Sequence, residues 1–164
     1  MEERTPQEVV DYAREEGVEI VDFRFCDLPG LMQHFSVPRH EFSEESFEDG
    51  HGFDGSSVRG FQEIQESDMI LRPDPNTAYL DPFTARRTLN LNCFVHDPIT
   101  GEPYSRDPRF IARKAEEHLL ATGVADTCYI GPEAEFFVVD DVRFGQDQHS
   151  AMYSVDSIEA SWNT

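Results

Sequence analysis

The chain has 164 residues, 38% of them hydrophobic and 12% aromatic, and its 33 Asp and Glu against 13 Lys and Arg give a formal net charge of −20. No apolar run approaches the roughly 18 residues of a membrane span, and phosphate binding to nucleic acid needs clustered Lys and Arg that are absent here. A disordered acidic tail is excluded too, because such tails are poor in aromatics, whereas 13 Phe, five Tyr and Trp162 argue for a folded core.

The first predicted element is a helix. Thr5 is a good N-cap, Pro6 fits the first helical position, and Glu8 completes a capping box. Val9, Val10 and Ala13 form its apolar side, and Gly17 ends it. In EIVDFRFCD (19–27), Ile20, Asp22 and Arg24 alternate with Val21, Phe23 and Phe25, which predicts a strand. Leu28-Pro29-Gly30 turns the chain, and LMQHFSVP (31–38) is expected to return as a hairpin. The acidic, then glycine-rich stretch 41–57 suits a short helix followed by a loop. Residues 77–81 and 88–96 are expected to be two further strands. A small α+β domain then closes near residue 100, where DPITGEP clusters turn residues.

A second unit begins there. Asp107 caps a helix with Pro108 at its first position, Ile111, Ala112, Ala115 and Leu119 give it an apolar face, and Gly123 stops it. TCYIGPEAEFFVVDDVRF (127–144) then predicts a long strand, interrupted near Gly131-Pro132. One helix and one or two strands do not close a core, so the second domain is expected to be cut short and the chain to be a fragment. MEERTPQEVV lacks a basic stretch followed by an apolar one, so no secretory signal is expected and the expected compartment is the cytoplasm. Twelve Arg accompany the single Lys114. A folded surface this acidic and this poor in lysine suits concentrated salt, which screens self-repulsion, as inside a salt-accumulating halophile. Cys26, Cys93 and Cys128 are odd in number and widely spaced, so buried free thiols are expected rather than a disulfide framework or a zinc site. None of the six His has an i, i+4 His partner, and each is expected to pack or face solvent.

On a strand, Glu133 and Glu135 would point to the same side, about 7 Å apart at roughly 3.3 Å per residue. Paired carboxylates without thiols or imidazoles suit Mg²⁺ or Mn²⁺. The same Glu-x-Glu pattern also describes the solvent face of a half-buried sheet, and spacing leaves both readings open. Gly52-Phe53-Asp54-Gly55-Ser56-Ser57 likewise reads as a turn with side-chain acceptors.

GPEAEFFVVDDVRF (131–144) is very similar to the glutamine synthetase signature GPExEFF followed by an acidic turn. FDGSSVRGFQEIQESDMILRPD (53–74) resembles that family's DGSS segment and the acidic ESDM after it, and YSRDPR (104–109) resembles its entry into the catalytic domain. The chain thus looks like the N-terminal part of a type I glutamine synthetase. Phe61 stands where the family often has Trp.

The resemblance implies a β-grasp domain over residues 17–101 and the start of the catalytic domain over residues 108–164. It implies that Glu133 and Glu135 bind different ions of a two-metal site, Mg²⁺ or Mn²⁺. It places Asp54, with Ser57 as a neighbour, at an ammonium site across a subunit interface, and Asp68 in support of the same region. The implied reaction joins L-glutamate and ammonium at the cost of ATP, giving L-glutamine, ADP and phosphate through γ-glutamyl phosphate. The implied assembly is a dodecamer of two stacked six-subunit rings. The remaining metal ligands and the ATP pocket would lie beyond Thr164. A related ligase using another amine, such as a polyamine, and a non-enzymatic β-grasp module remain alternatives.

Overall fold

The computed structural model describes residues 3–162. It forms two compact units, one up to Thr127 and one from Cys128 on.

The first unit opens with α1 (Pro6–Glu15). Thr5 Oγ1 accepts from the Glu8 backbone N–H, and the Glu8 carboxylate accepts from the Thr5 N–H at 2.7 Å. That reciprocal cap stabilises a helix start by about 1 kcal/mol. Val9, Val10 and Ala13 are buried, as the apolar spacing predicts. Gly17, at φ +63°, provides the left-handed turn into β1 (Ile20–Cys26).

β1 pairs antiparallel with β2 (Met32–Pro38), with Phe23 opposite Phe35. After α2 (Glu45–Glu48) come β3 (His51–Asp54), β4 (Asp68–Pro73), the two-residue β5 (Tyr79–Leu80) and β6 (Thr88–His96). The order is β2-β1-β6-β4-β3, and β5 also pairs with β6. β1 and β6 are parallel, with Val21 opposite Leu89 and Phe23 opposite Leu91. The other edge of β6 is shared: β5 takes Leu89 and Asn90, and β4 takes Cys93 to His96.

One face of this sheet is the core. Val21, Phe23, Leu71, Leu89, Leu91, Cys93 and Val95 are fully buried there, packed with α1, Phe42 and Phe61. On the opposite face of β1 a polar layer forms. Asp22 accepts from Arg24 Nε, His34 Nδ1 and Ser36 Oγ at 2.7–2.8 Å. Burial pushes the Asp22 carboxyl up, but hydrogen bonds from Arg24, His34 and Ser36 outweigh it and leave it below its ordinary value. Arg24 continues the layer to Asp81 at 2.8 Å, which also accepts from Asn90.

α3 (Pro108–Thr122) starts at Asp107 and ends at Gly123, φ +65°, as its caps predict. It packs on the sheet of the first unit. Asp107 is fully buried and accepts from the Val95 N–H at 3.0 Å, while the guanidinium groups of Arg109 and Arg113 lie 4.0 and 4.2 Å from the Phe94 ring centre. The first compact unit therefore includes α3.

The second unit is an antiparallel hairpin, β7 (Asp141–Gln146) with β8 (Ala151–Asp156). The long strand expected over 127–144 is not formed before Asp141; residues 128–139 carry no regular secondary structure. Alternating side chains make a strand only when a neighbouring backbone accepts and donates the ladder bonds, and β8 reaches back only to Asp141. Phe136 and Val138, on the face opposite the two Glu in the expected strand, are each 80% exposed. Of the three thiols only Cys93 is buried; Cys26 is half-buried and Cys128 exposed. No described helix is long and apolar enough to cross a membrane.

His51 packs against the aromatic core, its ring centroid 4.2 Å from that of Phe23, and its Nε2 is buried with no partner. Burial holds its pKa below the ordinary histidine value. Below pH ~6.5 the unfolded chain takes up this proton while the folded chain resists it, so stability falls as pH drops from about 7 to 5. His96, lowered by burial against the opposing hydrogen bond to the Gly101 carbonyl, contributes in the same direction. His51→Phe is expected to flatten this slope relative to the parent, read as urea midpoints at pH 7.5 and 5.5. An unchanged slope would remove His51 from the account.

Candidate functional site

β3 ends at Asp54, where the chain enters a 3-10 turn at Gly55–Ser57. The turn is set by packing and by side-chain capping together. Phe53 points inward, its ring centroid 4.9 Å from that of Phe25, so strand alternation turns Asp54 the other way, and it is exposed. Gly55 is buried, and a Cβ there would lie 2.4 Å from Met69 Sδ. Only glycine fits that close an approach.

The Asp54 carboxylate is held on both oxygens. Oδ1 accepts from the Ser56 backbone N–H at 2.8 Å and Ser56 Oγ at 2.6 Å, and Oδ2 accepts from Ser57 Oγ at 3.0 Å. These bonds, first from the Ser56 hydroxyl, then from its backbone and from Ser57, hold the Asp54 carboxyl below its ordinary value. It is a fixed, exposed anion at neutral pH. Ser57, expected beside Asp54, is in direct contact with it. Ser56 makes the closer pair of bonds and was not singled out from sequence; the Asp-x-Ser spacing of an Asx turn was the available signal.

Asp68 sits directly across the ladder from Asp54. Opposed residues on antiparallel strands have Cβ atoms about 4.5–5.5 Å apart, and two like charges there repel unless a cation lies between or beside them. Asp68 also lines an open groove of about 480 Å³ with Gln62, Glu66 and Asp97. The site so far is an anionic rim at one edge of the sheet, suited to a small cation.

Glu133 and Glu135 lie in the second unit, both exposed, within the stretch that has no regular structure. The strand that would put them on one side is absent. Among the described residues no group of three or more His, Cys, Asp and Glu is placed to hold a metal ion. Their oxygens match the donor preference of Mg²⁺ or Mn²⁺, but an octahedral ion takes six ligands, so the pair could supply only a minority of a site.

Residues 17–98 match the family model for the glutamine synthetase β-grasp domain, and residues 105–163 match that for the glutamine synthetase catalytic domain. The chain is 59% identical, over all its 164 residues, to a glutamine synthetase of Mycobacterium bovis, and covers 34% of that protein. It is 54% identical to the glutamine synthetase of Aquifex aeolicus, covering 99% of this chain and 35% of the relative. The chain thus spans about a third of the length of the curated relatives it matches. In fold it is similar to a Plasmodium falciparum glutamine synthetase structure, with a TM-score of 0.73 at 24% identity over 97% of this chain and 31% of that one.

Proposed function

Because the chain belongs to the glutamine synthetase family, we propose that it forms part of a ligase joining ammonia to L-glutamate. ATP would be consumed through a γ-glutamyl phosphate, with L-glutamine, ADP and phosphate as products. The consecutive match to both domains of that family carries this reading. The geometry at Asp54 supplies its chemistry.

Asp54, kept anionic by Ser56 and Ser57, attracts NH₄⁺ to the rim it shares with Asp68. A carboxylate there can take a proton from ammonium and so deliver nucleophilic NH₃. Neutral ammonia then attacks the acyl phosphate and phosphate leaves. Glu133 and Glu135 would each contribute oxygens to one of two Mg²⁺ or Mn²⁺ ions, which when bound neutralise charge on the transferred phosphate. Residues 17–101 would serve as the β-grasp domain and residues from 108 to 164 as the start of the catalytic domain. The assembly would be a cytoplasmic dodecamer in which Asp54 serves a neighbouring subunit's site.

The test is made on the complete gene product. Glutamine formation should require ATP and a divalent cation, and ammonium should be preferred over polyamines. Glu135→Ala is expected to weaken metal binding, raising the Mg²⁺ concentration for half-maximal activity at least about tenfold, and to reduce turnover sharply, since even partners of metal ligands typically cost 10–100-fold. Unchanged metal dependence removes Glu135 from the site. Glutamylation of a polyamine in place of ammonium replaces the substrate assignment.

A further inference from the structure

We propose that Arg106, seated beside Tyr104, is a positioning residue for the Asp54–Ser57 turn, and through it for the amine site; the inference rests on the ammonium reading given above. After Ser57 the chain returns through Val58 to Gln62. The Gly55 carbonyl accepts from the Val58 N–H at 3.1 Å and the Gln62 N–H at 3.5 Å, and the Val58 carbonyl accepts from the Phe61 N–H at 3.1 Å. These bonds close the loop on itself, while the Gly55 N–H, donating to the Ser67 carbonyl at 2.6 Å, fastens only its near end to the sheet.

Its far end is fastened by the segment before α3. Arg106 Nη1 donates to the Phe61 carbonyl at 2.7 Å and to the Gly60 carbonyl at 3.3 Å. The Tyr104 ring meets the buried Phe61 ring edge-on, with centroids 5.1 Å apart, and its hydroxyl donates to Gln62 Oε1 at 3.4 Å. A guanidinium is always charged and donates from a rigid fork, so it pins two successive carbonyls at once.

The clamp is itself firmly mounted. The Tyr104 N–H donates to the Val95 carbonyl at 2.8 Å, and the Asp107 N–H donates to the Tyr104 carbonyl at 3.1 Å. Asp107 in turn accepts from the Val95 N–H. The end of β6 therefore holds residues 104–107, and these hold residues 60–62. Gly60, at φ +83°, lies so close to Leu28 that a Cβ would come within 2.9 Å of it, which fixes the far side of the loop. Asp54 and Ser57 sit at the near end of the same closed loop; the β3–β4 ladder holds the Asp54 backbone, and the clamp, which touches neither residue, holds the return of the loop that carries Ser57 against it.

The experiment uses the complete gene product with Arg106→Met, which keeps the length of the side chain, Arg106→Lys, which keeps a charged donor, and Asp54→Asn as the reference. Arg106→Met should raise the KM for ammonium by about tenfold or more, while the KM for glutamate and kcat at saturating ammonium stay within about twofold. Arg106→Lys should recover most of the loss. Hydrogen exchange at the Val58, Phe61 and Gln62 amides should accelerate about tenfold in Arg106→Met, with the β6 amides unchanged. Loop amides that exchange at the parental rate overturn the clamp. So does an unchanged ammonium KM in Arg106→Met when Asp54→Asn raises it. If Asp54→Asn also leaves the ammonium KM unchanged, the amine-site reading falls, and the positioning role falls with it.

Discussion

Replacing Asp54 with Asn in the complete gene product is expected to lower kcat/KM for ammonium by about 100-fold or more, the scale of a positioned acid–base group. The substitution separates charge from shape. An Asn side-chain oxygen can still accept from the Ser56 N–H and hold the turn, but it carries no negative charge and cannot take a proton from NH₄⁺. The parental carboxyl is held below its ordinary value, so it stays charged well into acid, and its loss of function there would not come from its own protonation. Asp54→Ala should be worse for the fold, because it also leaves the Ser56 N–H and hydroxyl without their acceptor. Steady-state rates against ammonium, at saturating glutamate and ATP, check both. If Asp54→Asn and the parent titrate ammonium alike, Asp54 has no part in the amine site.

The second large effect is on stability. Phe23→Ala should cost about 3–5 kcal/mol, the range for truncating a buried aromatic, against the 5–15 kcal/mol that holds a typical domain together. Phe23 is fully buried on β1, and its ring centroid lies 5.6 Å from that of Phe35, 6.2 Å from Phe42 and 4.2 Å from His51. Removing it opens a cavity where β1, β2 and the start of β3 meet. β3 carries Asp54 at its other end, so the damage reaches the site through the strand. Urea denaturation should show a lower midpoint with an unchanged m-value. An unfolding free energy within about 0.5 kcal/mol of the parent would mean that the neighbouring rings collapse into the space.

Elements with local signals were legible in the sequence. Thr5-Pro6 with Glu8, and Asp107-Pro108 with Gly123, carry their caps within a few residues. The β1–β2 hairpin has strict alternation and a Leu-Pro-Gly turn. β3 and β4 were not legible. β3 is four residues with a glycine inside, and β4 runs from an aspartate to a proline. Both exist because they pair with each other, and β4 also with β6, which is information about distant residues. The stretch around Glu133 and Glu135 shows the converse: its alternation is clear, yet no ladder partner precedes Asp141. At the candidate site, the side-chain acceptor role of Asp54 could be expected from Asp-Gly-Ser-Ser, but Asp68 facing it depends on the β3–β4 register. Arg106 gave no local signal, because its targets are backbone carbonyls some 45 residues away in the sequence.

The parallel pairing of β1 with β6 also sets an order of events during synthesis. β1 and β2 can form a hairpin as soon as Pro38 emerges, yet the inner edge of β1 must wait for Thr88 to Asn92. At about 5–20 residues per second this leaves the inner edge of an apolar strand, with Val21, Phe23 and Phe25 on it, unpaired for several seconds. During that interval the nascent chain presents an open edge of the kind that captures other strands. A ribosomal pause before Thr88 would therefore favour aggregation, whereas the same pause after His96 would find the centre of the sheet already closed.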